Sequence, residues 1–118
     1  MTDPDTARVE RCLADLARFV DQASELVIGG EAAYLDAGFD GQMRRAFGEQ
    51  IVLHVATVAE RLPQSFRDEH PDVAWAQLRA MRNRIAHVYD AIDATVVWRA
   101  LVVRIPELGA RLLPADAD

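Results

Sequence analysis

The sequence contains no lysine and only one cysteine, and it is poor in glycine (6 of 118 residues) and proline (5). Cys12 cannot form an internal disulfide on its own, so we expect a reducing, cytoplasmic environment. The scarcity of turn residues and the absence of alternating apolar and polar segments argue against β-strands. No apolar run approaches the roughly 18 residues of a membrane span. No basic segment followed by an apolar run resembles an export signal.

All thirteen basic residues are arginines, yet the formal net charge is −6. Nucleic acid repels an acidic protein at long range, so any contact with RNA requires a local arginine patch or a basic partner surface. Hydrophobic residues make up 51% of the chain and charged residues 27%, a balance typical of a folded protein. The length fits one domain over residues 1–118, with a frayed tail at residues 115–118.

Apolar residues spaced three and four apart predict a first long helix from about Thr6 to Ile28. Asp3 or Asp5 is its candidate N-cap, and the pair Gly29-Gly30 is its stop signal. A second long helix is predicted from about Gln42 to Leu62. Its buried stripe is predicted to consist of Met43, Phe47, Ile51, Val55, Val58 and Leu62.

A third helix is predicted from about Val73 to Tyr89 with Asp72 as its N-cap, and a fourth begins after Asp93. Pro106 is expected to kink this last helix or to split it in two. Short helical turns are expected at residues 31–36 and 64–69. Long helices with one apolar stripe each predict an all-α protein that forms an antiparallel four- to five-helix bundle.

The helix from Val73 to Tyr89 separates into two faces when successive residues are placed about 100° apart. The apolar seam is predicted to contain Ala74, Leu78, Met81, Ile85 and Val88. The opposite face is predicted to contain Arg79, Asn83, Ala86, His87 and Asp90, with Arg82 and Trp75 at one margin. His87 is therefore expected to point away from its own core. A polar strip around the small Ala86 suits a second copy of the chain, which predicts a homodimer.

Three residues of this helix can carry chemistry. Histidine titrates near neutral pH, so His87 can take a proton from a ribose 2′-hydroxyl or give one to a leaving oxygen. The guanidinium fork matches phosphate oxygens, so Arg82 can stabilise the charge of a pentacoordinate phosphorus. Asn83, one turn before His87, can orient the imidazole or bind a phosphate oxygen. Such a site requires no metal and no cofactor, and no His-Glu-x-x-His or Cys-x-x-Cys ligand spacing is present.

Arg-x4-His by itself occurs by chance in many helices, where the histidine is structural and the arginine forms a surface ion pair. The longer string is more specific, and it runs Trp75, Arg82-Asn83, His87, Tyr89, Ile92-Asp93 and Trp98. This string resembles the HepT-like branch of the HEPN superfamily, whose members carry Arg-x4-His-x-Tyr at the end of a bundle helix. The resemblance extends from about Gln42 to Leu113. It departs from the usual pattern at Asp90, where an aromatic residue is common.

The resemblance implies a HEPN-like fold and a homodimeric, metal-independent endoribonuclease that acts on RNA as the toxin of a toxin–antitoxin pair. It also implies an antitoxin, a minimal nucleotidyltransferase that adds AMP to the motif tyrosine. Carried over by position, Arg82 and His87 are the catalytic pair, Asn83 supports them, and Tyr89 is the modified residue. Glu60 and Asp90 are further polar residues that could hydrogen-bond within the cleft.

Two alternatives stay open. The chain could be a non-catalytic helical module that docks a nucleotidyltransferase or binds a nucleotide, with Arg82 contacting phosphate only. It could also be a solitary nuclease that has lost the modifying partner. Separately, Tyr89 could be a core aromatic with its hydroxyl at the rim.

Overall fold

Two 23-residue helices, α1 (Pro4–Leu26) and α3 (Phe39–Arg61), pack along each other and form the centre of the fold. The computed structural model describes residues 3–87 and 93–114, and no β-strand occurs within these ranges. The other elements are α2 (Gly30–Tyr34), α4 (Gln64–Asp68), α5 (Trp75–His87), α6 (Ala94–Arg99) and α7 (Ile105–Leu112), with a 3₁₀ turn at Val27–Gly29 and a π-helical turn at Ala100–Arg104. The predicted all-α bundle is confirmed.

The core lies where α1 and α3 meet the C-terminal helix, which consists of α6, the π-helical turn and α7. Its most buried side chains include Leu16 of α1, Ile51 and Val55 of α3, and Leu101 of the π-helical turn, each at most 1% exposed. Burying one aliphatic side chain stabilises a fold by about 1.5–3 kcal/mol, so these contacts hold α3 firmly in the bundle. α5 packs against another side of α3, which places the motif helix at the edge of the bundle.

The glycine pair after α1 ends the helix as predicted. The α-helical part of α1 ends at Leu26, the 3₁₀ turn follows, and Gly30 adopts a φ of 86°. Glycine adopts this left-handed region without the steric cost that a Cβ imposes. At the other end Asp3 precedes α1, but its carboxylate accepts no hydrogen bond from the helix. Asp3 is therefore the N-cap residue, as predicted, although its side chain does not contribute a capping hydrogen bond.

Only the C-terminal half of the predicted α3 stripe is buried. Ile51 and Val55 are 1% exposed, whereas Met43 is 55% and Phe47 is 44% exposed. Residues four apart drift by about 40° around a helix, so the row from Met43 to Val55 turns by about 120° and leaves the core. The prediction that Met43 and Phe47 are buried is wrong for this reason.

Two glycines occupy the buried side of α3 in its N-terminal half. A Cβ added at Gly41 would lie 1.9 Å from the Asp36 carbonyl oxygen, and one added at Gly48 would lie 2.5 Å from Tyr34 Oη. The backbone of α3 therefore approaches α2 and the following loop too closely for any side chain. This close packing turns the Met43–Phe47 side of the helix towards solvent.

One of the two aspartate caps predicted downstream is present. Asp93 accepts hydrogen bonds from the Thr95 backbone N–H at 2.9 Å and from Thr95 Oγ1 at 2.6 Å, as an N-cap of α6 should. These bonds lower the pKa of Asp93 below its ordinary value of 3.8. Asp72 does not cap α5, because that helix begins at Trp75. The Asp72 carboxylate pairs instead with Arg111 of α7.

The last helix is interrupted just before Pro106, as predicted. Residues Ala100–Arg104 form a π-helical turn between α6 and α7. Proline has no N–H to donate and its ring clashes with the preceding turn, so the regular hydrogen-bond ladder cannot continue through it. The π-helical turn thus occupies the place where that ladder is interrupted, between α6 and α7.

Candidate active site on the motif helix

Helix α5 runs antiparallel to α3. Its middle lies beside the end of α3, where Glu60 contacts both Arg79 and Arg82. The residue that begins α6, Ala94, lines the same depression as Ala46 in the first half of α3. The C-terminal end of α5 therefore runs towards the N-terminal half of α3.

The two predicted faces of α5 are present in its described residues. Leu78, Met81 and Ile85 are partly buried and pack against the core. Asn83 and Ala86 are exposed on the other side, together with Arg79. Ala74 is an exception to the predicted seam, because it lies before the helix and is exposed.

Arg82 lies at the margin between the two faces, in a bridged ion pair. Its Nη1 lies 3.4 Å from Glu60 Oε2, while Arg79 Nε lies 3.2 Å from Glu60 Oε1. The Arg82 side chain is 37% exposed, that of Arg79 59%, and that of Glu60 30%. One carboxylate therefore holds two guanidinium groups of successive helical turns, and Arg82 is the more enclosed of the two.

Among the described residues, the contact with Glu60 leaves other donors of Arg82 available to a ligand. A guanidinium carries five N–H groups in a rigid fork, and the Glu60 contact engages the Nη1 end of the Arg82 group. Because Asn83 is exposed beside it, an arginine and an amide side chain occur next to each other on the outer surface. Both donate hydrogen bonds to phosphate oxygens.

Glu60 is the residue whose position could be established only in the folded chain. It lies 22 residues before Arg82 in the sequence, so no helical periodicity connects the two. Its presence in the sequence marked it only as a possible polar residue of the cleft. The antiparallel packing of α3 and α5 brings it to the candidate site.

The remaining motif residues fall at or beyond the limit of the description. His87 is the last residue of α5. The structure describes its position in the helix but not its side chain. Tyr89 and Asp90 lie in the segment 88–92, outside the described residues. The roles of His87 and Tyr89 therefore stay predictions.

Arg44 and Arg45, which could have formed an RNA-binding patch, bind the backbone instead. Arg44 Nη1 donates to the Ala33 carbonyl oxygen at 3.2 Å. Arg45 Nη1 donates to the carbonyl oxygens of Tyr34 at 2.9 Å and Asp36 at 2.7 Å. These acceptors lie at the end of α2 and in the loop that follows it. Their contacts in this structure are therefore structural.

The other two histidines have structural contacts of their own. The Gln50 amide lies 2.9 Å from His54 Nε2, and the His54 ring lies 5.1 Å from the Phe19 ring. The His70 carbonyl accepts a hydrogen bond from the Trp75 indole N–H at 3.0 Å.

Within residues 3–87 and 93–114, no group of three or more His, Cys, Asp or Glu side chains is arranged to hold a metal ion. None of the described helices combines the length and apolarity needed to cross a membrane.

Comparison with known proteins identifies relatives over the second half of the chain. The family model described as "Ribonuclease HepT-like" matches residues 43–113. A provisionally named RNase of Caldanaerobacter subterraneus subsp. tengcongensis is 29% identical over 69 residues, which cover 58% of this chain and 61% of that protein. A probable ribonuclease HepT of Thermococcus cleftensis is 28% identical over 54 residues, 46% of this chain and 49% of that protein. No solved structure matches the chain significantly.

The matched region contains the whole candidate site. It includes Glu60, Arg82, Asn83, His87 and Tyr89, as well as α3 from Met43 onwards. The aligned segments span about half to three-fifths of the length of these relatives. The family match extends over more than half of the chain, and the helical bundle agrees with the expected HEPN-like fold. The chain therefore belongs to the ribonuclease HepT-like family.

Proposed function

We propose that the chain is a metal-independent endoribonuclease that acts as the toxin of a toxin–antitoxin pair, with Arg82 and His87 as its catalytic residues. One observation carries the proposal. The family match spans the complete motif, and the fold turns its described polar residues outwards, with Asn83 exposed and Arg82 held at the surface by Glu60.

The proposed reaction is an internal transesterification. His87 removes the proton from a ribose 2′-hydroxyl, and the resulting oxygen attacks the adjacent phosphorus. The bond from phosphorus to the 5′-oxygen breaks, which yields a 2′,3′-cyclic phosphate and a 5′-hydroxyl that takes up a proton. Arg82 neutralises the additional negative charge on the pentacoordinate phosphorus. Asn83 orients the imidazole or binds a phosphate oxygen.

The proposed active unit is a homodimer, which would supply two sets of these residues to one cleft. Its support is an apolar strip on α3, formed by Phe39, Met43 and Phe47, which are 72%, 55% and 44% exposed. Full burial of one such side chain stabilises an interface by about 1.5–3 kcal/mol. The strip lies in the half of α3 towards which the motif end of α5 runs. A second copy that covers it would lie beside the catalytic helix.

A charge placed on the strip tests the dimer. Met43→Glu is expected to convert a dimer into a monomer, because a buried carboxylate without a partner is costly. Val103→Glu is the matched control, since Val103 is also exposed but lies on the C-terminal helix. Sedimentation equilibrium measures the molecular mass of each variant and so distinguishes a dimer from a monomer. The dimer proposal fails if the wild type is monomeric, or if both variants dissociate equally.

Silencing of the nuclease is proposed to occur by transfer of AMP to Tyr89. The sequence predicts a helix through Tyr89, and seven residues after Arg82 is the same side of such a helix. AMP on this tyrosine would then bring a phosphate close to the guanidinium and occupy the RNA site. Mass spectrometry of the protein coexpressed with a minimal nucleotidyltransferase measures the modification. A mass increase in whole AMP units, absent from Tyr89→Phe, is expected. Modification of Tyr89→Phe to the same extent would refute this assignment.

Arg79 and Arg82 pair with the same carboxylate, that of Glu60, so they provide a matched test of the proposed nuclease activity. Arg79 and Arg82 each lose an ion pair with Glu60 when changed to glutamine, but only Arg82 is proposed to contact the substrate. Purified wild type and variants are incubated with RNA in excess EDTA. Arg82→Gln is expected to lose at least a hundredfold in cleavage rate, within the range that removal of one transition-state donor costs. Arg79→Gln should keep cleavage within about twofold, because it removes an exposed ion pair worth less than about 1 kcal/mol.

His87→Ala in the same assay tests the proposed base, and its cleavage rate should fall as severely as that of Arg82→Gln. Equal loss in Arg79→Gln and Arg82→Gln would show a shared structural effect instead of catalysis. If wild-type protein cleaves no RNA but binds a nucleotide or a nucleotidyltransferase, the non-catalytic binding module is the correct function.

A further inference from the structure

An open groove of about 580 Å³ separates α5 from the C-terminal helix. Helix α5 packs mainly against α3, and no residue from Trp75 to Ala86 is fully buried. Helices α1, α3 and α7, by contrast, each bury several residues. Helix α5 is therefore less buried than these helices, and the groove lies on its side towards the C-terminal helix.

The floor of this groove is aliphatic. It consists mainly of Val73, Leu78, Met81, Ile85, Val96 and Leu108. These residues come from both sides of the gap, so an occupant would contact α5 and the C-terminal helix together. Val96 is 39% exposed although it points to this apolar surface. A ligand that fills the groove would remove this apolar surface from water, which is the dominant driving force for association.

The rim of the groove carries arginine on an otherwise acidic protein. Arg84, Arg99 and Arg104 line it, and in the described part of the chain no carboxylate oxygen lies within 4.0 Å of their side chains. Asp93 and Glu107 also line the rim, so its charge is mixed with a positive excess. The Asp72–Arg111 ion pair lies at the end where α5 begins.

We infer that this groove binds one amphipathic α-helix of a partner protein, with acidic residues beside its apolar face. The 13 residues of α5 give the groove a length of about 20 Å, which a helix of about 13–15 residues spans at 1.5 Å per residue. Two helical walls and an aliphatic floor are the usual geometry for a helix that docks in a groove. Acidic flanks would pair with the rim arginines and would overcome the repulsion that a net charge of −6 imposes on an acidic partner.

The lining does not suit RNA. Proteins that bind single strands combine a positive channel with aromatic rings on which bases stack. No aromatic ring occurs among the described residues that line this groove, and two carboxylates lie at its rim besides the paired Asp72. The groove therefore differs in chemistry from the Arg82–Asn83 face, and the inference holds whether or not the chain cleaves RNA.

A designed peptide tests the inference in the full-length protein. The probe is a helical peptide of about 15 residues, long enough for the groove, with leucines three and four apart and glutamates flanking them. A second peptide carries lysine in place of glutamate. Fluorescence anisotropy measures both. The acidic peptide is expected to bind at least tenfold more tightly than the basic one.

Two exposed alanines on α5 supply matched variants. Ala80 lines the groove, whereas Ala76 does not, and both are exposed, so a glutamate at either position disturbs no core contact. Ala80→Glu should weaken binding of the acidic peptide at least tenfold, and Ala76→Glu by less than about twofold. Thermal melting followed by circular dichroism confirms that both variants are folded.

Several results would overturn the inference. They are failure of the wild type to bind the acidic peptide, equal binding of the two peptides, or equal binding by Ala80→Glu and Ala76→Glu. If the wild type binds single-stranded RNA and Ala80→Glu alone binds it more weakly, the groove is a nucleic-acid site instead. If the protein self-associates and only Ala80→Glu abolishes this, the occupant of the groove is a second copy of the chain. None of these results depends on cleavage, so each is distinguishable from failure of the proposed nuclease.

Discussion

Replacing Glu60 by glutamine tests whether this carboxylate positions the proposed catalytic arginine. Glutamine keeps the shape of the side chain but removes the charge that holds Arg82 Nη1 at 3.4 Å and Arg79 Nε at 3.2 Å. The guanidinium of Arg82 would then be free to sample other rotamers. Glu60 would act through Arg82 and would not itself contact RNA, so it is a positioning residue.

The expected loss of stability is small. All three side chains are between 30% and 59% exposed, and pairs of this kind contribute about 0.2–1 kcal/mol each. Glu60→Gln should therefore lower the free energy of unfolding by about 0.4–2 kcal/mol, the sum of two such pairs. Small domains have a total stability of about 5–15 kcal/mol, so the variant stays folded.

The expected loss of activity is larger and appears in kcat. A guanidinium held in place before the reaction loses no conformational freedom in the transition state, and this advantage disappears when Glu60 is neutral. We expect kcat to fall about tenfold, which corresponds to about 1.4 kcal/mol of transition-state stabilisation. KM should change by less than about threefold, since the ground-state contacts of the RNA are largely retained.

Single-turnover cleavage of a fluorescent RNA at saturating and subsaturating protein separates kcat from KM. Arg79→Gln is the comparison, because it removes the other arm of the bridge and leaves Glu60 with Arg82. Its kcat should stay within about twofold of wild type, since only an exposed pair is lost. The reasoning fails if Glu60→Gln cleaves as fast as wild type or faster while Arg82→Gln is inactive. The carboxylate would then compete with substrate phosphate and would not position the arginine.

Gly48→Ala is expected to destabilise the protein by about 1–3 kcal/mol in urea unfolding, because its Cβ would lie 2.5 Å from Tyr34 Oη and 2.9 Å from Leu101 Cδ1. Tyr34→Phe should preserve or raise stability, since the buried hydroxyl has no hydrogen-bond partner among the described residues, and it should partly relieve the cost of Gly48→Ala. Asp93→Ala should lower Tm at neutral pH, because the hydrogen bonds from Thr95 lower the pKa of Asp93. A group with a lowered pKa stabilises the fold above its unfolded value of 3.8 and loses this effect as the pH falls through the folded value. The Tm difference should therefore begin to shrink as the pH falls below 3.8 and disappear once the pH is below the lowered pKa of the folded state.

The outcomes that contradict these three predictions are distinct. Wild-type stability in Gly48→Ala would mean that α2 and α3 do not touch at this glycine. A marked loss of stability in Tyr34→Phe would mean that the hydroxyl has a partner after all. A Tm difference between wild type and Asp93→Ala that stays unchanged from neutral pH down to well below pH 3.8 would mean that the carboxylate charge is not what caps α6.

Reasoning from neighbouring residues predicted the structure correctly wherever the deciding contacts are close in sequence. The stop after α1 depends on the backbone freedom of Gly30, and the cap of α6 depends on a hydrogen bond that Asp93 accepts from the backbone N–H two positions later. The interruption before Pro106 depends on an absent N–H group. The outward face of α5 follows from helical periodicity, which applies to any regular helix.

The same rules failed where a contact joins distant segments. Met43 and Phe47 have the spacing of a buried row, but the close approach of α2 to Gly48 turns them to solvent. Asp72 has the properties of a helix cap, but its carboxylate pairs with Arg111, 39 residues later. No pattern in the primary sequence encodes these competing partners, because they meet only when the helices pack.

The sequence by itself determined that this protein is an α-helical bundle, that its motif helix has a polar outer face, and to which family it belongs. These properties follow from residue spacing and from the Arg-x4-His-x-Tyr string. Only the tertiary structure decided that Glu60 bridges Arg79 and Arg82 and that a groove opens behind α5. Both depend on how far α5 lies from its neighbours and in which direction it crosses them. Packing between surfaces distant in sequence sets that distance and that direction.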